Sequence, residues 1–511
     1  MLCLLYSFKG GWRKAGAAIP GARGGLRTGK GRDLSRAKLD VAIVGGGFSG
    51  ALLAVGLLRC APDPSLAVVD KGPLPGRGLA YGTQNPRLLL NVPAGNMSAL
   101  AEDPDHFLRW AQANYGEPVQ ASTFLPRPFY GRYLGSVLEK ALGDGTPRKL
   151  RWIQGEVSSV THERSSLEVR LTDGGTLRAR SVVIAAGNFP PANLNIPGLS
   201  ADSKRYFRSP WSAAALRDIP KHHDVLLIGS GLTSIDLAVA LESEGFAGHI
   251  HFLSRHGLMP QIHRLAGQWP QFWNERGSRT MRGLLRLVRE QVRAGSEAGR
   301  DWREVIDSLR PVTQNIWQSL SAPERRRFLR HVRSYWEVHR HRIAPEIGDA
   351  VAKLVRQGQA TVHAGRVTNY REFPDRVEVR LCDRKTRGQR ALQVDRVINC
   401  TGPETDYRRI DHPLIRNLLA QGLARPDPLF LGLDVDSTGA LIDSSGLASG
   451  SLYVIGPARK GSLWETIAVP EIRSQASALA RHLALALEPN PQTDPAVFAI
   501  TGDVNDEQPT P

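Results

Sequence analysis

The stretch Val41-Ala42-Ile43-Val44-Gly45-Gly46-Gly47-Phe48-Ser49-Gly50 decides the fold. Four apolar residues without a break read as a strand buried on both faces. Gly45 meets the need of a tight strand-to-helix turn for a residue without a side chain. Gly47 lets a pyrophosphate approach the backbone, and Gly50 lets the next helix pack closely. That helix, expected over 51–59, points free N–H groups and its positive dipole end back at the loop, where an anion is stabilised. Phe48 and Ser49 belong to the same candidate loop. A second strand, 66–69, ends in Asp70, 20 residues after Gly50, the spacing at which a carboxylate reaches ribose hydroxyls.

The pattern occurs twice. Val225-Leu226-Leu227-Ile228 runs into Gly229-Ser230-Gly231-Leu232-Thr233-Ser234. Ser234 stands where a third glycine is usual and is small enough to keep the helix close. Gly229, Gly231, Thr233 and Ser234 are the candidate phosphate-loop residues here. The next strand, 249–253, ends in Ser254-Arg255-His256-Gly257, with no acid. An arginine at this point accommodates a ribose 2′-phosphate, which favours NADPH over NADH. One glycine-rich loop is a weak signal. Two, each between a buried strand and a helix, predict two dinucleotides face to face, FAD on the first and NADPH on the second.

The expected fold class is α/β, with two Rossmann-like dinucleotide-binding domains and a helical elaboration. The FAD domain is discontinuous, over 39–205 and 366–488, and the NADPH domain is inserted at 206–365, with a helical stretch at 257–357. After Asp70 the long loop 71–100 is rich in Gly, Pro and Asn. Connections of that length are usually functional, and this one is expected to cross the flavin, with Asn91 and Ser98 as candidate contacts. Asp103-Pro104 reads as a helix start, and 130–141 as another helix. Residues 150–180 alternate as a β-meander containing Val157, a further candidate contact. The strand 181–185 leaves the sheet at Gly187, and a sister strand, 396–400, leaves at Gly402. Both glycines are candidate cofactor contacts, and the pair is read as flanking the inserted module. Near the end, a strand reaches Gly456, and Trp464-Glu465-Thr466 precedes Pro470, suited to the first turn of a last helix. Gly456, Trp464 and Thr466 complete the candidate flavin contacts.

The chain has 511 residues and a formal charge of +17. Nearly half of that excess lies in residues 1–38, where nine Lys and Arg face Asp33 alone. This segment is expected to be a disordered basic tail, either a targeting segment or an upstream extension. Residues 489–511 are expected to be a flexible tail. The basic middle invites a nucleic-acid reading, but its arginines share helices with Trp and Phe at core spacing, so no nucleic acid is expected. No apolar run is long enough to span a membrane. Cys3, Cys60, Cys382 and Cys400 form no Cys-x-x-Cys pair, which argues against a disulfide reductase and a structural zinc site. A cytoplasmic location follows from that cysteine usage, and no metal is expected. A homodimer is allowed by the sequence, which leaves oligomeric state open.

With these motifs in place the chain resembles the bacterial FAD/NAD(P)-binding proteins of the two-dinucleotide flavoprotein fold, over roughly 39–487. The resemblance rests on 41–50, 76–82, 90–98, Asp105-His106-Phe107-Leu108-Arg109-Trp110, 327–331, 336–342 and 464–473. That group looks related to flavin-dependent N-hydroxylating monooxygenases, aspartate N-oxygenases among them. The relationship implies an NADPH-reduced FAD that captures molecular oxygen as a C4a-hydroperoxide and oxygenates a small polar, amine-bearing substrate. Two alternatives stand beside it: a reductase serving a separate acceptor, and a non-catalytic flavin-binding redox sensor. No residue is assigned as catalytic. Arg340 and Arg342, in the dense His339-Arg340-His341-Arg342 cluster, are the candidate carboxylate or phosphate holders.

Overall fold

The computed structural model describes residues 27–29, 38–143, 150–217, 219–265 and 267–488. The apolar runs become the centres of two separate sheets. The first takes β1 (Arg27–Gly29), β2 (Lys38–Val44), β3 (Leu66–Asp70), β4 (Leu150–Gln154), β5 (Val157–Glu163), β6 (Ser166–Leu171) and β7 (Thr176–Ile184). The chain then builds a second sheet from β8 (Tyr206–Phe207), β9 (Val225–Ile228), β10 (Ile250–Ser254), β11 (Ala360–Glu372), β12 (Val377–Asp383), β13 (Gln389–Val394) and β14 (Arg396–Asn399). It returns to the first for β15 (Ala440–Ile442) and β16 (Ala448–Val454).

The order in the first sheet is β1-β4-β3-β2-β7-β16-β15, with β5 and β6 paired off β7; in the second it is β13-β12-β11-β10-β9-β14-β8. The central strands of both run parallel. The glycine loops follow β2 and β9. In each sheet the chain first builds to one side of that strand (β3 and β4; β10 and β11) and later to the other (β7; β14). Both loops therefore sit at a topological switch point, where open α/β sheets leave a ligand crevice beyond the carboxyl ends of their strands.

Both faces of the first sheet are covered. Val41 and Ile43 pack into one cluster with the helix Phe48–Cys60, the helix Arg127–Leu142 and the last helix, Val469–Leu487. Ala42 and Val44 face the other, with the β5–β7 meander. This two-sided burial is why the strand reads as an unbroken apolar run.

Three expectations about organisation change. The expected boundary at residue 366 cuts through β11, and β12 to β14 belong to the second sheet. The sister strand 396–400 lies beside β9, as β7 lies beside β2, so it is the second sheet's counterpart of β7 and not a return to the first sheet. Arg27–Gly29, inside the expected basic tail, form the edge strand β1 beside β4, whose outer row of backbone groups seeks a partner. Lys38, the last residue of that tail, begins β2; residues 1–26 and 30–37, and 489–511, lie outside the described residues. The helical stretch is as expected in kind, from Met281–Glu297 to Pro345–Arg356. It breaks at Val332, however, so Tyr335 and Trp336 lie on a separate helix, Arg333–Arg340, after Ala322–His331. The helix expected at Asp103 begins at His106, because the Asp103 carboxylate turns to Arg109 at 2.6 Å. Among the described residues no helix is long and apolar enough to cross a membrane.

Candidate functional site

The two glycine loops are built alike. Gly45 has φ +105°, and a Cβ there would lie 2.3 Å from the Ala185 carbonyl oxygen at the end of β7. Gly229 has φ +119°, and its Cβ would lie 2.2 Å from the Cys400 carbonyl oxygen at the end of β14. No side chain fits either turn. Each following helix starts on a glycine, Gly47 or Gly231, with no side-chain cap, leaving amide donors for an anion. A Cβ on Gly50 would fall 1.9 Å from the Gly45 carbonyl oxygen. Ser234 resolves the departure in the second loop: it is fully buried and its hydroxyl donates to the Gly231 carbonyl at 2.8 Å.

Around the first loop the structure gathers Gly45, Gly47, Ser49, Gly50, Asp70 and Gly456. Asp70 accepts the Gly46 amide with one oxygen and the Gly72 amide, at 2.6 Å, with the other. It thus fixes the loop. The long connection closes on the loop, with Gly76 N–H donating to the Gly46 carbonyl at 2.9 Å and Gly78 against Gly47. Phe48 is buried against Tyr81, their centroids 5.8 Å apart. Ser49 meets the exit of β16, its hydroxyl 2.9 Å from where a Gly456 Cβ would sit. Ser98 is turned inward, its hydroxyl donating to the Asp103 carbonyl at 2.6 Å, while its carbonyl accepts Arg473. Val157 lends its side chain to the meander core. Asn91 offers its carbonyl to His263, 3.0 Å away.

Near the start of the last helix several buried polar atoms lack partners: Thr466 Oγ1, Trp464 Nε1 and Gln475 Nε2. Gln475 Oε1 accepts the Gly456 amide at 3.0 Å, and the helix itself starts on Ala468 without a side-chain cap. Buried polar groups without partners call for a ligand or water. Together with the glycine cradle, these donors fit a flavin nucleotide lying from Gly45–Gly47 to Gly456 and Thr466.

Between the sheets lies a cleft of about 720 Å³. Gly229, Gly231, Thr233, Ser254 and Arg255 line it from the second loop's side, and Gly187, Gly402 and Lys460 from other strand exits. The helix Arg333–Arg340 and His341 close another wall. Arg255 is exposed. Burial and the guanidiniums of Arg384, Arg255 and Arg366 push the neighbouring His256 imidazole below its ordinary range, so this end of the cleft is cationic. Arg255→Ala is therefore expected to raise the Kd for NADPH about tenfold to a hundredfold, the worth of charged hydrogen bonds, and to leave NADH unchanged. Titration with both nucleotides checks it, and equal losses overturn the phosphate role.

Arg340 and Arg342, the candidate carboxylate or phosphate holders, do not line this cleft. Arg340 pairs with Glu471 at 3.1 Å and Arg342 with Asp307, both guanidiniums buried. Arg342 ties the helical stretch to itself and Arg340 ties it to the start of the last helix, and their partners lie too far along the chain for local spacing to reveal. Sequence reading also passed over Glu465. A γ-turn at Trp464, with φ 63° and ψ −63° and a 2.8 Å bond from Glu465 N–H to the Leu463 carbonyl, turns this residue inward. Backbone in that region is strained and persists only when its surroundings enforce it. Glu465 is buried, accepts Trp336 Nε1 at 2.9 Å and lies 3.3 Å from His341 Nε2. Burial alone would raise its carboxyl, but His341, Arg340 and Trp336 overcome this and hold it well below the usual range. A lone acid in the apolar run 463–469 was the available signal.

Residues 42–189, from β2 through the exit of β7, match a family model described as FAD-NAD(P)-binding. No curated protein matches the chain in sequence. In fold it is similar to the ornithine N-hydroxylase of Kutzneria sp. 744, solved with reduced FAD, NADP+ and L-ornithine, at 14% identity and TM-score 0.61, covering 88% of this chain and 100% of that one. It is also similar to L-lysine 6-monooxygenase from Pseudomonas syringae, at 17% identity and TM-score 0.61, covering 88% and 100%. The FAD-bound cadaverine monooxygenase DfoA of Erwinia amylovora gives 15% identity and TM-score 0.59, covering 88% and 94%. At such identities the likeness is one of architecture: the chain has the two-dinucleotide-binding-domain flavoprotein fold.

Proposed function

We propose that this chain is an FAD-dependent, NADPH-using oxidoreductase, a monooxygenase acting on a small polar, amine-bearing molecule. The observation that carries the reading is that two glycine loops of the same build stand at the switch points of separate sheets, and that the strand exits beside them, Gly187 after β7 and Gly402 after β14, line one cleft together with the second loop. The named neighbours in fold, which oxygenate ornithine, lysine and cadaverine, support the reaction class. In this reading the first loop and the Thr466 region hold FAD, and Gly229–Thr233 with Arg255 hold NADPH. A bound flavin supplies the redox chemistry and the activation of molecular oxygen. The residues of this chain bind and orient both nucleotides and keep water out with the helical wall 333–341.

The test is direct. The purified protein is expected to be yellow, and NADPH is expected to bleach its flavin without air. With air, L-ornithine, L-lysine and cadaverine serve as first probes of substrate-dependent oxygen uptake. Material that is colourless and takes up no added FAD overturns the reading. NADPH oxidation that needs a separate acceptor, with no oxygen incorporated into any amine, moves the chain to the reductase class.

A further inference from the structure

The cleft wall carries a lysine that makes no direct ion pair among the described residues, although Glu337 and Glu465 lie near enough to favour its charge. Lys460 follows the exit of β16, lines the cleft wall and has no carboxylate within ion-pair distance among the described residues. The nearby acids are engaged elsewhere: Glu337 is bonded to Arg333 at 2.8 Å, and Glu465 to Trp336 and His341. The amine is held in place. Its Nζ lies 4.7 Å from the centroid of the Trp464 ring, which is wedged against Trp317 and Phe328 in the strained turn. Burial, and then the positive charge of Arg333, push the ammonium below its ordinary range. The side chain is half-buried in the cleft wall, and a partly desolvated charge gains from a partner.

We propose that Lys460 is an oxyanion subsite of the cleft, taking the carboxylate or phosphate oxygens of the molecule that binds there. The inference rests on the reading of this cleft as the reaction site and adds what it recognises. Two sources share that chemistry, a small carboxylate and a phosphate of the nicotinamide nucleotide. An oxyanion beside Nζ would give the ammonium the direct ion pair that Glu337 and Glu465, engaged with Arg333, Trp336 and His341, do not make.

The test uses the whole FAD-loaded protein and trace acetic anhydride, with acetylation read lysine by lysine by mass spectrometry. Succinate, which carries no amine, and 2′,5′-ADP are the two probes. Succinate is expected to slow acetylation of Lys460 at least fivefold while the exposed Lys71 and Lys353 label unchanged. Protection by 2′,5′-ADP alone assigns the subsite to the nucleotide. Protection by neither overturns the proposal. In parallel, the succinate-induced rise in Tm is expected to vanish in Lys460→Met and persist in Lys460→Arg; a rise that survives in Lys460→Met also overturns it. Neither readout requires hydride transfer, so a protein that NADPH fails to reduce would sink the proposed function and leave this result standing.

Discussion

Gly45→Ala is expected to yield protein with less than a tenth of the wild-type flavin content. The added methyl would lie 2.3 Å from the Ala185 carbonyl oxygen, and the backbone at φ +105° is a conformation L side chains rarely adopt. The rigid neighbour on one side and the backbone penalty on the other cost together about 2–5 kcal/mol, relieved only by shifting the loop off the end of β7. That shift moves Gly47 and the uncapped amides behind it, the groups expected to hold the pyrophosphate. The ratio of visible to ultraviolet absorbance measures occupancy, and far-ultraviolet circular dichroism tests whether the sheets survive. Gly174→Ala is the control: it too has positive φ, at 88°, but faces open space in the turn between β6 and β7, outside the cleft lining, and it should retain most of the flavin. Gly229→Ala, with its methyl 2.2 Å from the Cys400 oxygen, should be yellow and reducible by dithionite yet poorly reduced by NADPH. If Gly229→Ala lost the flavin as fully as Gly45→Ala, the assignment of one loop to each nucleotide would fail.

Local covalent geometry explains which features are legible in the sequence. The glycine loops, Asp70 at the end of β3 and Pro470 at the start of the last helix depend on backbone demands met within a few residues, so they are visible in the sequence. Partnerships across the chain are not. Arg396-Val397-Ile398-Asn399 looks the same whether it sits beside β2 or β9, and only pairing with Val225–Ile228 settles it. Arg340 and Arg342 look like ligand binders in a dense basic cluster because Glu471 and Asp307 are remote in sequence. The cleft was legible only in part. Arg255 follows its strand by a fixed rule, whereas Lys460, Glu465 and His341 come together through a strained turn and a helix from another domain.

The other large effect is expected at the joint between the domains. Arg127, at the start of a helix packed on the first sheet, makes a two-pronged contact with Asp236 behind the second glycine loop, at 2.8 and 2.9 Å. Both side chains are about nine-tenths buried, and Arg127 Nε also donates to the Leu89 carbonyl at 3.0 Å. The exposed contact across the same joint, Arg87 to Glu242 at 3.5 Å, falls in the class worth little. Asp236→Ala strands the Arg127 guanidinium in the joint and should destabilise the protein by about 3–5 kcal/mol. Arg127→Met with Asp236→Leu removes both charges and should recover most of that loss, since an apolar pair of similar volume replaces an ion pair at little cost. Denaturant titration reads both; a loss under about 1 kcal/mol in the single variant contradicts the buried pair as a stability determinant. The pair also sets an angle. Asp236 lies one turn beyond Gly231 and Thr233, so fixing it against Arg127 orients the second loop toward the cleft. A double variant as stable as wild type but slower in flavin reduction by NADPH would separate this orienting role from simple cohesion, because apolar side chains can fill the joint without specifying the bidentate geometry.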